Sequence, residues 1–319
     1  MSLEPRSCLR LFFSVDIAGS TAYKSKNQNE RSDGRPHWLS LYESFFAEFS
    51  VRFTSEWTDL GGRGAPASVW KLAGDEILMS QEVCLINDVW TAVRAFKKAL
   101  YGYQEHIHQK HDRGLGLKGT IWCAGFPVIN SEIEVRGSAE EGNTTVVRDF
   151  IGPTIDAGFR LARHATPARI VLSPELAWLL SKRVEESGET MIGLYYDGDV
   201  ELKGVFGGRP VPLFSIDAGD PLERTRNAIS GRKTAQNDSI GAFIESFVQS
   251  IGNPTLTTLP YLASTDEAGW GVQPEQHVVE LAQMRKLWAE ASGEKAQWDD
   301  RGSEGGAVNL AAPSLRGEL

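Results

Sequence analysis

No apolar run in this chain approaches the ~20 residues needed to span a bilayer, and its opening, MSLEPRSC, lacks the basic-then-apolar pattern of a signal peptide. Cysteine is scarce. Cys8, Cys84 and Cys123 are scattered over 319 residues, which argues against a disulfide framework and for reduced thiols. Positive charge is in deficit, with a formal net charge of −9. That disfavours broad binding to nucleic-acid backbones, but not a mononucleotide site that needs only local cations. The expectation is a soluble, cytoplasmic protein with neither nucleic acid nor membrane as a partner. What is present is ordinary for a globular chain: 41% apolar and 24% charged residues. The length suits one large domain, or a domain with an appendage.

Leu9 to Val15 reads as a buried strand, and Lys24 to Pro36 as a polar surface loop. From Trp38, the positions Leu41, Phe45, Phe46, Phe49 and Phe53 recur at helical spacing. Val69–Leu72 and Glu76–Met79 pair as a hairpin with Gly74-Asp75 at its tip. A second helical stripe runs through Val89, Val93, Phe96, Leu100, Tyr103 and Ile107, and Leu115 to Ala124 reads as a fourth strand. Strand, helix, strand, strand, helix, strand is the ferredoxin-like order of an α+β fold, an antiparallel sheet with helices on one face. A polar loop follows over Asn130 to Thr145, then a helix from Pro153 to about His164 and a strand over Arg169 to Leu172. Ser173-Pro174 caps another helix, and Tyr195 to Ile216 suggests paired strands. The character changes after Asp217. Gly219 to Asn237 is polar, Ile240 to Ile251 forms an amphipathic helix, another helix spans roughly Glu275 to Ala291, and the last ~20 residues read as disordered. The expected division is 1–217 and a partly helical extension, 218–319.

Two aspartates stand where strands end. Asp16 closes an apolar run and opens a Gly-Ser-Thr turn, and Asp75 follows a glycine at the hairpin tip. Carboxylates on neighbouring strands suit divalent cations, and a Gly-Ser-Thr turn entering a helix offers backbone N–H groups to phosphates. The plainer alternative is one helix cap and one turn residue. His106, His108 and His111 do not share one helical face, so a metal role is not expected. Cys84 and Cys123, next to apolar residues, read as core fillers. The 240–251 helix lacks the basic face of a membrane binder.

Four blocks in order, VDIAGST, KLAGDE, DFIGPTIDAGFRLA and ELKG, resemble a class III nucleotidyl cyclase catalytic domain over about Leu9 to Ile216. The resemblance implies a homodimer with active sites at the interface. Asp16, Asp75 and the Ile17 carbonyl would hold two divalent cations, Mn²⁺ or Mg²⁺, and Gly19, Ser20 and Thr21 would cradle the triphosphate. Lys71 and Asp149 would read the base from the partner subunit, or else form a solvated cross-strand ion pair. Arg160 would neutralise charge at the α-phosphate, and Lys203 in ELKG would reach the terminal phosphates unless it is simply a surface lysine. Asp156 stands where the family carries an asparagine that orients the ribose; it accepts from a ribose hydroxyl or pairs with Arg160 one turn on.

Lys71 with Asp149 taken alone implies ATP. The altered Asp156, the polar insert after Thr21, the lack of a fused sensor domain, the C-terminal region and the wording VDIAGSTAYK look most like the stand-alone pyrimidine cyclases of Pycsar anti-phage defence. Those convert UTP or CTP to a cyclic monophosphate that activates a separate effector protein, and UTP is favoured here. Alternatives are an adenylate cyclase, a silent cyclase-like binding domain and, since AGDEI resembles their signature turn, a diguanylate cyclase. Bulky neighbours such as Trp70 or Tyr42 to Phe46 would narrow the pocket for a smaller base.

Overall fold

In a computed structural model, residues 4–32, 34–137, 145–182, 192–234, 237–263, 265 and 269–302 are described. The elements begin with β1 (Cys8–Ala18), α1 (Ser20–Lys26), β2 (Arg31–Ser32), β3 (Arg35–Pro36) and α2 (Leu39–Asp59). Next come β4 (Ser68–Ala73), β5 (Glu76–Val83), α3 (Ile86–Lys110) and β6 (Gly116–Phe126). Then follow β7 (Ser131–Gly137), β8 (Thr145–Ile151), α4 (Pro153–Leu161), β9 (Arg169–Leu172), α5 (Pro174–Ser181), β10 (Leu194–Glu201) and β11 (Pro210–Asp217). The remainder holds α6 (Pro221–Ser230), α7 (Asn237–Ile251) and α8 (Glu275–Gly302).

The main sheet runs β10-β11-β9-β6-β1-β5-β4. Its β6-β1-β5-β4 half is the four-stranded antiparallel core expected from the helix and strand order, with α2 and α3 as its two helices. One pair, β6 with β9, is parallel. On one face, Phe13 of β1 packs its ring 4.9 Å from Phe53 of α2 and 5.3 Å from Phe96 of α3. That face gathers the large aromatic positions of both helical stripes and excludes water from them.

Helices do not lie on one face only. The opposite face carries Phe12, Leu78 and Trp122, covered by Phe150 of β8 and Ile155 of α4. Gly158 makes this approach possible: a Cβ there would stand 2.3 Å from the Trp122 ring, so any larger residue would push α4 off β6. The expected loop over 130–145 is in part a hairpin, because β7 and β8 pair from Ser131–Ile151 to Gly137–Thr145. Charged side chains there pair across the strands, as Arg148 does with Glu132 and Glu134, and on β7 they alternate with Ile133 and Val135 in a stretch whose overall polarity reads as a loop. The stretch 24–36 likewise holds the end of α1 and the small β2–β3 pair. The polar stretch after Asp217 includes α6, which is capped by Asp220 accepting from the Leu222 N–H.

The expected cap at Ser173 is formed, its hydroxyl accepting from the Leu176 N–H. Beyond residue 217, α7 buries Ile240 and Ile244 in the main core. The segment after it returns to the start of the chain, where Arg285 Nε donates to the Pro5 carbonyl. His277 is fully buried and pins this return, bonding the Tyr261 hydroxyl at 2.7 Å and the Pro254 carbonyl at 3.0 Å. Of the last ~20 residues, where disorder was expected, the first few end α8, and 303–319 lie outside the described residues. No described helix is long and apolar enough to cross a membrane.

Candidate active site

Strand alternation decides which way the first aspartate points. Leu11, Phe13, Val15 and Ile17 enter the α2/α3 core, so Ser14 and Asp16 face the other side of the sheet with Phe12. Asp16 is opposite Glu76 on β5 and Lys118 on β6. The Lys118 ammonium lies 2.5 Å from Asp16 Oδ2. After Ala18 the chain reverses at Gly19, whose φ of 85° is the left-handed region that side chains disfavour. The helix α1 starts immediately after, as the Gly-Ser-Thr turn implied.

Asp75 is held to the end of β1 by two links. Its carbonyl accepts from the Ile17 N–H at 3.4 Å, and its carboxylate accepts from the buried Ser20 hydroxyl. The Ser20 side chain therefore positions Asp75, a role additional to the expected backbone contact. Thr21 is exposed on the first turn. Asp16 and Asp75 open on one cavity of about 260 Å³, which Ser14, Glu76 and Lys118 also line from the sheet, Phe159 from the end of α4 and Arg163 from the 3-10 turn that follows it.

Glu76, Ser14 and Lys118 escaped sequence reasoning: strand register alone sets Glu76 and Lys118 beside Asp16, whereas Ser14, two residues before it on β1, shares its face by the strand period. Glu76 accepts from the Ser14 hydroxyl. Burial pushes its carboxyl above the ordinary value and so do the charges of Asp16 and Asp75, while the Ser14 bond and Lys118 act the other way. The donor set suits a hard cation: two carboxylates, with the Ile17 carbonyl next in sequence to Asp16; the Lys118 ammonium, paired with Asp16, is the positive charge a bound cation would meet there. Among the described residues no three His, Cys, Asp or Glu side chains are grouped to hold an ion by themselves. Substrate oxygens would have to complete the shell, which is usual for Mg²⁺.

Lys71 and Asp149 meet, with Lys71 Nζ 3.0 Å from Asp149 Oδ1. The pair is partly exposed, 38% and 43% at the side chains. Burial raises the Asp149 carboxyl, but hydrogen bonds from Lys71 and the Phe150 N–H outweigh it and hold the group below its usual range. Lys71 stands four residues before Asp75, about 13 Å of extended strand at ~3.3 Å per residue, so this is a second cluster. Phe159 borders both: it lines the aspartate cavity, and its ring centre lies 5.5 Å from Lys71 Nζ.

On α4, Asp156 is exposed in the first turn and Arg160 is half-buried in the last. No ion pair joins them among the described residues, so the alternative in which Asp156 pairs with Arg160 is not formed. The buried Arg160 Nε meets no hydrogen-bond acceptor among the described residues. Lys203 is exposed beside Leu202 and Val205, which pack with Ala157 and Leu161 of α4. His106 and His108 have other partners: His106 stacks on Tyr103 with ring centres 5.2 Å apart, and His108 Nε2 bonds the Leu115 carbonyl at 2.8 Å.

No protein-family model and no curated protein matches the sequence. Solved structures resemble it. The adenylyl cyclase CyaB from P. aeruginosa is 16% identical, covering 67% of this chain and 96% of that one at a TM-score of 0.49. The guanylyl cyclase Cya2 is 14% identical over 73% of this chain and 100% of that one, TM-score 0.46. The guanylate cyclase domain of RhGC from Catenaria anguillulae, solved in complex with GTP, is 15% identical over 67% and 98%, TM-score 0.43. With TM-scores of 0.43 to 0.49, the functional reading has to come from the residues themselves.

Proposed function

We propose that this chain is a pyrimidine nucleotide cyclase, converting UTP, or CTP, to the 3′,5′-cyclic monophosphate and pyrophosphate. The observation that carries the reading is the convergence of Asp16 and Asp75, from segments 59 residues apart in sequence, on one cavity beside the Gly19–Ser20 turn. The choice of pyrimidine rests on the resemblance of the whole chain to the Pycsar cyclases.

Asp16, Asp75 and the Ile17 carbonyl would hold two divalent cations, Mg²⁺ or Mn²⁺, which supply acidity at the ribose 3′-hydroxyl and compensate the triphosphate charge. Gly19, Ser20 and Thr21 present backbone N–H groups to the phosphates. The ribose O3′ loses its proton to water and forms a bond to the α-phosphorus. The bond from that phosphorus to the bridging oxygen breaks, and pyrophosphate leaves. Arg160, with a buried donor free of any described protein acceptor, offsets charge growing on the α-phosphate oxygens. Lys203 meets the terminal phosphates, and Asp156 accepts from a ribose hydroxyl.

The chain acts as a homodimer in which the partner subunit supplies Lys71 and Asp149 to the base. Val147 and Ile151, two residues either side of Asp149 on β8, are 57% and 51% exposed, an apolar surface beside the Lys71–Asp149 pair that suits a second copy. Residues 1–217 carry the site, and in the C-terminal extension, 218–319, α7 packs Ile240 and Ile244 into the core behind it. In a cytoplasmic defence role, the cyclic nucleotide would act on a separate effector protein.

Incubating the purified protein with Mn²⁺ and each of ATP, GTP, CTP and UTP, with products identified by mass spectrometry, tests the reading. Cyclic UMP or cyclic CMP is expected. Cyclic AMP would favour the adenylate cyclase alternative, which the Lys71–Asp149 pairing keeps open, and no product from any of the four would sink the enzyme. Asp75→Ala and Lys71→Ala chains, each inactive, should partly recover activity when mixed; no recovery would refute a site shared between subunits.

A further inference from the structure

The polar pair Lys71–Asp149 cannot by itself choose a small base. Lysine only donates and a carboxylate only accepts, and adenine, cytosine and uracil all present an edge with a donor beside an acceptor. Size must decide, and the register of β4 shows what stands at the right place to measure it. Val69 is opposite Met79, Leu72 opposite Ile77 and Lys71 opposite Leu78, while Trp70 has no partner because the register shifts between Val69 and Lys71. This is a β-bulge, which places consecutive side chains on one face and often re-aims a residue beside a site. Met79 and Ile77 belong to the α2/α3 core and Leu78 to the opposite face, so Lys71 shares the face of Leu78. Trp70 has joined it there, packed with Phe12, Phe150 and Phe159 at centroid distances of 5.4, 5.2 and 5.9 Å. The Lys71 ammonium rests 4.0 Å from the centre of the Trp70 ring.

We propose that Trp70, turned onto the face of Lys71 by the bulge and backed by Phe159, is the specificity-determining residue that admits a pyrimidine to the Lys71–Asp149 pair and excludes a purine. This rests on the nucleotide-cyclase reading above. Three aromatic neighbours fix the indole, so the wall it makes does not yield to the second ring of a purine. In an unbulged strand residues 70 and 71 would point to opposite faces, and Lys71 would have no aromatic wall beside it.

The test compares wild type, Trp70→Leu and Phe159→Leu, which keep an apolar side chain in the cluster. kcat/KM is measured for UTP and ATP with Mn²⁺, and Kd for both by calorimetry with Ca²⁺, so that selectivity is read in binding as well as in turnover. Wild type should prefer UTP. Trp70→Leu should move the UTP-to-ATP ratio at least tenfold towards ATP, and Phe159→Leu should move it less, in the same direction. A wild type that prefers ATP overturns the proposal, and so does a ratio that stays within twofold in both variants. Should Trp70→Leu not fold, the Phe159→Leu ratio decides. A chain that binds triphosphates without cyclising them refutes the enzyme while the Kd ratios still judge Trp70; a chain that binds none of the four refutes both.

Discussion

Odd and even residues of β1 lead different lives on one backbone. Leu9, Leu11, Phe13, Val15 and Ile17 are at most 3% exposed and belong to the α2/α3 core. The even positions mix kinds: Arg10 pairs with Glu82 and Glu132, Phe12 stacks on Trp122, Ser14 donates to Glu76, and Asp16 meets Lys118. The first set gains stability simply by leaving water. The second holds charges in a half-buried place, where each needs a cross-strand partner to offset lost hydration. A strand two residues in period can thus give one face to folding and the other to chemistry, with neither set constraining the identity of the other.

The sharpest break of that division is Asp75→Ala, expected to lower turnover at least ~10³-fold, roughly 4 kcal/mol of barrier. Product formation and the thermal midpoint measured together check it, since the midpoint should shift by only a few degrees. Phe13→Ala attacks the opposite face and should cost about 3–5 kcal/mol in urea unfolding; a cost under ~1 kcal/mol would mean the odd residues are not the main source of stability. Gly158→Ala strikes the second face through packing alone. Its Cβ would meet the Trp122 ring at 2.3 Å, and an overpacking loss of about 1–3 kcal/mol is expected, visible in urea unfolding followed by tryptophan fluorescence.

Glu175 tests the division from the other side, a carboxyl lodged beside Cys123 of the apolar face. Burial raises it above the ordinary value of 4.5, against its own backbone N–H and the hydroxyls of Thr257 and Ser173. A raised carboxyl makes the folded state hold its proton longer than the unfolded state does. Stability is then greatest below pH 4.5 as far as this group is concerned, and falls as pH rises from there through the folded value. The slope is at most about 1.4 kcal/mol per pH unit for one proton. Glu175→Gln, which can still accept from Thr257, should remove that slope in unfolding measured across pH, and an unchanged slope would show that Glu175 is not its source. Smallest of all is Lys71→Met. The Lys71–Asp149 pair is partly exposed, so unfolding free energy should change by less than ~1 kcal/mol even where base recognition is lost.

What was legible and what was not follows the range of the forces involved. The ferredoxin-like order came from helical stripes such as Leu41 to Phe53 and from the strand of Leu9 to Val15, because a 3.6- or 2-residue period is a local property. The positions of Asp16 and Asp75 at strand ends, the turn at Gly19 and the cap at Ser173 were readable for the same reason. Lys118 and Glu76 were not, for their place beside Asp16 depends on a register between strands separated by about 60 and 100 residues in sequence; Ser14, on Asp16's own strand, could have been read from the two-residue period. The β7–β8 hairpin was missed because the overall polarity of its stretch hides the short alternation of Ile133 and Val135 with charged residues, and α6 because its stretch reads as polar.

The amino-acid sequence by itself determined the elements of the four-stranded core, their order and the two carboxylates near their ends, since propensity, period and turn chemistry act within a few residues. Only the tertiary structure decided that the two sheet faces would divide core from chemistry, that Lys118 would answer Asp16, and that a bulge would carry Trp70 onto the side of Lys71. Strand pairing fixes those outcomes by satisfying backbone hydrogen bonds over long sequence distances, and a shift of one residue would have reversed every one of them.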